Sequence, residues 1–245
     1  MIVLYDIPSS APGSAWSPNV WKTRYSLNYK GLQYRTEWIE YPDIEATCKR
    51  IGAEHTEFRA DGTPLYTLPA IHDPSTGVSI ADSARIAEYL DATYPDTPRL
   101  LPPGTTAVQH AFLAAYRLAL PALWQFALPS TAAILNPPSQ AYYARFKFDP
   151  ESPQTAPTGQ LREEQWAKLK EDFGLLAGWL EKGEADGPYV LGAAISFLDF
   201  AIAGYIIWLR ILWKESGEWD DIRSWHGGRW DTFLKRLEQY ETIVG

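Results

Sequence analysis

The sequence predicts a small α/β domain followed by an all-helical one, and three observations carry that prediction. Residues 1–94 alternate short β-rich runs with helical patterns. Residues 95–105, PDTPRLLPPGT, hold four prolines and read as an interdomain linker. From 106 to 245 nearly every apolar pattern has helical period.

The first domain can be read element by element. Residues 2–7, IVLYDI, form a short β-rich run. A loop over 8–16 follows, marked by Pro8, Pro12, Gly13 and three serines. Ser17-Pro18 then reads as an N-cap followed by proline at the first helical position. Gly31 suits the stop of that helix. QYRTEWI, 33–39, alternates like a half-buried strand, so the first two strands are expected to be parallel. A helix is expected from Asp43 to Gly52, and a polar stretch covers 53–66. LPAIHDPSTGVSI reads as a hairpin turning at Asp73–Gly77, and ADSARIAEYLDATYP as a capped helix ending before Pro95.

In the second domain the helical patterns span about 106–135, 139–147, 159–182, 196–215 and 229–242. Segment 136–159, rich in Pro, Ser and Thr, is expected to loop over the surface.

Composition limits the function classes. Apolar residues make up 46% of the chain, enough for a sizeable core. The net charge is −8 with no Lys/Arg cluster, which disfavours nucleic acid and anionic membrane as partners. Cys48 is the one cysteine, so an internal disulfide, a CxxC redox pair and a thiolate zinc site are excluded, and no metal is expected. MIVLYDIP has neither the basic nor the long apolar region of a signal peptide, and no run of about 18 apolar residues suggests a membrane span. The expected location is the cytoplasm. Eleven tryptophans and fourteen tyrosines suit either a large aromatic core or an aromatic-lined pocket.

Three motifs carry chemistry. In TLPAI, Pro69 cannot donate to a sheet ladder, so it belongs at an edge, at a bulge or after a cis bond. There it would leave the Leu68 N–H and C=O free to pair with an extended peptide. In SIADSARIAEYL, Asp82-Ser83 lies at a helix start. The common task there is capping. The alternative is an amino-acid headgroup, with its carboxylate on Ser83 and its ammonium on Asp82. In SFLDF, Ser196 and Asp199 have capping-box spacing, with Asp replacing the usual Glu or Gln, a structural role.

The order and spacing of these features resemble a soluble glutathione transferase along the whole chain. LPAI matches the family's cis-proline strand, Asp82-Ser83 its γ-glutamyl site, and Ser196–Asp199 its helical-domain capping box. Within the family, SPNVWKTRYSLNYKGLQYRTEWIEYPDIE is most similar to the fungal-specific Fua class, related to bacterial lignin β-etherases. The resemblance implies a thioredoxin-like domain (1–94), a linker (95–105) and an all-α domain (106–245) contributing a hydrophobic substrate site. It further implies glutathione as co-substrate, held with its thiol at the start of the first helix, and a homodimer.

A free thiol has a pKa of about 8.5, so the site must favour the thiolate. Family members use Tyr, Ser or Cys here. Tyr5 lies in the first strand and Cys48 in the second helix, so Ser17 is the expected donor, making the enzyme serine type. A hydroxyl can accept a backbone N–H as a cap while giving its own proton to sulfur. Ser14 and Asn19 are the rival donors. Leu68, Pro69, Asp82 and Ser83 are expected to hold the peptide, and His55, with Lys49 and Arg50 nearby, its glycyl end. Trp16 is an expected wall of the co-substrate site. Tyr116, Trp124 and Phe126, on the long helix after the linker, would form the other, unless they pack the helical core. The expected substrates are small hydrophobic aromatic electrophiles, including aryl ethers or lignin-derived phenolics, or peroxides. The alternative is a ligandin that binds aromatic compounds with little turnover.

Overall fold

The computed structural model describes residues 1–146 and 155–245. In the first domain, β1 (Ile2–Asp6) runs parallel to β2 (Tyr34–Trp38), and α1 (Pro18–Tyr29) crosses between them. α2 (Ile44–Ile51) follows a short 3-10 turn. β5 (Ala70–Asp73) and β6 (Val78–Ala81) form the expected hairpin before α3 (Ser83–Thr93), and the sheet order is β2-β1-β5-β6.

A separate hairpin, β3 (Glu57–Phe58) with β4 (Pro64–Leu65), lies inside the stretch read only as polar. Two-residue strands are too short to display a period. Pairing across the hairpin, Thr56 N–H to Leu65 O (3.0 Å) and Arg59 N–H to Thr63 O (2.8 Å), makes them.

α1 starts as its sequence dictates. Ser17 is extended and Pro18 opens the helix. Gly31, at φ 65°, turns the chain out of it. Most of α1 is buried, including Arg24, whose guanidinium pairs with Asp6 at 2.8 Å and also reaches Thr36. This pair ties α1 to β1. Burial pushes the Asp6 carboxyl up, against the opposing pull of Arg24.

The second domain holds α4 (Thr106–Leu118), α5 (Trp124–Ile134), α6 (Pro137–Phe146), α7 (Gly159–Glu181), α8 (Phe197–Trp213) and α9 (Gly217–Leu237). Three expectations change. The pattern over 106–135 is not one helix, because Pro121 cannot continue the ladder of α4 and Leu120 leaves helical geometry. Segment 136–159 is not wholly loop: α6 fills its start, where the helix over 139–147 was expected; residues 147–154 lie outside the described residues. The segment Gly217–Leu237 holds two helical stretches, because Trp225, His226, Gly227 and Gly228 leave helical geometry between them; the second restarts at 229 as expected, and the first, from Gly217, is the addition.

α8 is the centre of the molecule. Nearly every side chain from Phe197 to Leu209 is buried, as an all-round apolar helix requires. Asp199 accepts from Ser196 N–H at 2.8 Å and from Val190 N–H at 2.9 Å, closing the capping box. Tyr25 of α1 stacks on Phe200 of α8 with ring centroids 5.5 Å apart. The C-terminal tail then returns to the first domain, where Asn28 Nδ2 donates to Tyr240 O and Thr242 O. Among the described residues no single helix is long and apolar enough to cross a membrane.

Candidate functional site

A cavity of about 550 Å³ opens between the two domains at the start of α1. Three distant segments of the first domain meet in it: Ser17 and Asn19, Leu68 and Pro69, and Asp82 and Ser83. The second domain supplies Arg117, Leu118, Trp124, Tyr142 and Tyr205.

Ser17 is buried and caps α1 through a long contact, Val20 N–H to Oγ at 3.5 Å. Its own proton meets no acceptor among the described residues. The hydroxyl can therefore donate into the cavity while its lone pair serves the helix, whose positive end favours an anion there.

Leu68-Pro69 is a cis peptide just ahead of β5. β5 is an inner strand, so the edge-strand alternative for Pro69 fails, and the proline sits outside the ladder instead. Among the described residues the Leu68 N–H and C=O have no hydrogen-bond partner.

Asp82 caps α3, with Oδ1 accepting from Ala84 N–H at 2.9 Å and Arg85 N–H at 3.0 Å. Its backbone N–H donates to Pro69 O at 3.2 Å, which joins two of the motifs directly. Its φ of 77° is strained for a residue with a Cβ, and such strain gathers at ligand sites. Among the described residues the second carboxylate oxygen has no hydrogen-bond partner.

Other expected residues fall elsewhere. Ser14 does not line the cavity; its N–H bonds Ala11 O at 2.8 Å within the loop. Trp16 is 3% exposed and turned into the core. His55 packs on Phe58 and Tyr66, with centroids 4.5 and 6.2 Å away, and Lys49 holds Glu45 at 2.7 Å. Arg59, from the hairpin that the sequence did not reveal, lines the cavity, with Nη1 donating to Pro64 O at 2.7 Å.

The aromatic wall also differs. Trp124 lines the cavity, but Tyr116 stands behind Tyr205 at 5.2 Å. Phe126 is buried against Trp166 at 5.0 Å. The break at Pro121 puts Tyr116 and Trp124 on different helices, so a shared helical face does not exist. Tyr205 of α8 was missed because nothing in the apolar run from Phe200 to Leu209 marks which ring faces a cleft. Lys22 was missed for a similar reason: on α1 it reads as a surface lysine, yet it is buried and lines the cavity.

Among the described residues no cluster of three or more His, Cys, Asp or Glu could hold a metal. Burial pushes the Cys48 thiol up to about 11, away from reactivity.

Fold and cavity together define a two-domain protein with a thioredoxin-like first half and a helical second half enclosing a polar-to-aromatic cleft. Residues 16–93 match the family model described as glutathione S-transferase, N-terminal domain, and residues 107–240 the one described as glutathione S-transferase, C-terminal domain. The chain belongs to the glutathione S-transferase family. It is 31% identical to a glutathione S-transferase-like protein, ustS, of Aspergillus flavus, over 91% of this chain and 87% of that one. A glutathione S-transferase of Ceriporiopsis subvermispora, solved in complex with glutathione, superposes with a TM-score of 0.92 at 46% identity, covering 99% of this chain and 98% of that one. Glutathione transferase GSTFuA3 from Phanerochaete chrysosporium superposes with a TM-score of 0.90 at 41% identity, covering 100% and 98%. The chain thus resembles the fungal Fua class.

Proposed function

We propose that this protein activates glutathione as a thiolate for attack on hydrophobic aromatic electrophiles. One observation carries the reading: Ser17, Leu68, Asp82 and Ser83, from three separate segments, line a single cavity. The Leu68 peptide pairs with the cysteinyl backbone of glutathione. Ser83 and the N-terminus of α3 take its γ-glutamyl carboxylate, and Asp82 takes the ammonium. Arg59 meets the glycyl carboxylate. The thiol then lies at the α1 N-terminus, where Ser17 donates to sulfur.

In this reading the thiol proton leaves to solvent, and the sulfur attacks an electrophile lying against Trp124 and Tyr205. An aryl carbon, an ether carbon or a peroxide oxygen would each suit that nucleophile. The similarity to the Ceriporiopsis structure with glutathione supports the peptide site. A cytoplasmic homodimer completes the proposal.

Calorimetric titration with glutathione, followed by conjugation assays with a chlorodinitrobenzene, aryl ethers and a hydroperoxide, tests it. Micromolar-to-millimolar binding with turnover is the expected result. Aromatic-dye binding without turnover on any of these would favour a ligandin instead.

A further inference from the structure

Three cationic side chains are buried among the described residues: Arg24, Lys30 and Lys22. Arg24 holds Asp6 at 2.8 Å and Lys30 holds Asp91 at 2.7 Å. Lys22, 8% exposed, has no carboxylate within ion-pair distance among the described residues. Its ammonium donates to Asn19 Oδ1 at 2.8 Å and stands over the Tyr205 ring, 5.3 Å from the centroid. A buried charge without a counter-charge is costly, and an anion brought by a ligand would offset that cost.

The surroundings hold the lysine in place. Its stem lies along α8, where a Cβ on Gly204 would come within 3.3 Å of Lys22 Cγ. The charged groups facing it are Asp82 from the start of α3, which favours the ammonium, and Arg117 from α4, which opposes it. Burial outweighs both and brings the amine down to about 8. The Asn19 contact also fixes the carboxamide. An ammonium only donates, so the amide atom facing it is the oxygen. Asn19 Nδ2 therefore points away from Lys22, in a residue that lines the cavity beside Ser17.

We infer that Lys22 is a positioning residue of the thiolate site: it orients the Asn19 amide as a second donor to the sulfur and supplies the positive charge that stabilises the bound thiolate. The inference rests on the glutathione reading above. The S–H bond breaks with its proton passing to solvent. The sulfur keeps the electron pair, and Lys22 remains an ammonium throughout.

The test is an ultraviolet titration of the thiolate in the glutathione complex, for wild type, Lys22→Met and Lys22→Arg. Calorimetric binding of S-methylglutathione, which cannot ionise, runs beside it. In wild type the thiol ionises well below its free value. Lys22→Met, whose apolar stem keeps the packing on α8, raises the thiol pKa by about one unit, a tenfold change in its ionisation constant. It leaves S-methylglutathione affinity within about threefold. Lys22→Arg restores most of the thiolate. An unchanged thiol pKa in Lys22→Met overturns the inference, as does equal weakening toward both ligands, which marks a structural role. Should Lys22→Met fail to fold, Lys22→Gln gives the same comparison. Absence of glutathione binding by wild type refutes the underlying reading, whereas wild-type binding with an unshifted thiol refutes only the role of Lys22.

Discussion

The Cβ that Gly204 lacks would lie 2.5 Å from the Pro18 carbonyl oxygen, closer than any carbon is tolerated. α8 approaches the first turn of α1 through this glycine, and that approach sets Ser17 against the helical domain. Gly204→Ala must push the two helices apart. Overpacking of this kind costs about 1–3 kcal/mol, to be read by urea unfolding. The same variant is expected to weaken glutathione binding, because α1 carries the thiol end of the cavity. Unchanged stability would show that α8 yields without displacing α1.

Ser17→Ala separates the cap from the donor. The cap contact is long, at 3.5 Å, so its loss is expected to cost no more than about 1 kcal/mol. Turnover should fall about a hundredfold to a thousandfold, the range for removing a hydrogen bond to a reacting anion. Asn19→Ala, assayed beside it, apportions the donation. Full activity in Ser17→Ala with loss in Asn19→Ala would transfer the donor role to Asn19.

Replacing Lys22 should raise stability while lowering thiolate content. The folded amine ionises at about 8 against an ordinary 10.5, so between these values the unfolded chain binds more protons and stability rises with pH. Below about 8 the burial penalty is fully present. Lys22→Met removes it and is expected to gain roughly 1–3 kcal/mol at neutral pH. That gain should shrink as pH rises toward 10.5, as denaturant titrations across the range can follow.

Asp199 titrates with the opposite sign. Burial raises its carboxyl from 3.8 to about 6, against the pull of the Val190 and Ser196 hydrogen bonds. Between those values the folded chain binds more protons, so this group's contribution to stability falls as pH rises. Asp199→Asn removes the titration and one acceptor, costing about 1–3 kcal/mol. The difference from wild type should narrow from pH 4 toward pH 6, measured by urea unfolding at both ends.

Ser17-Pro18, the proline before β5, Asp82-Ser83 and the Ser196–Asp199 box were legible because each is a local rule: a cap, a missing donor or a helix start. The sequence by itself determined the two-domain order, the parallel first pair of strands and the absence of a cysteine able to act in place of an imported thiol. What lay beyond local rules was left to the tertiary structure. Two-residue strands have no period, so the hairpin that carries Arg59 appears only through its partner strand. Pro121 divides a pattern that reads as continuous, which returns Phe126 to the core and leaves Trp124 at the cleft. Lys22 and Tyr205 face that cleft because Gly204 lets α8 lie against α1. Burial of a charge and the facing of a ring are properties of packed helices, and packing is settled between segments far apart in the chain.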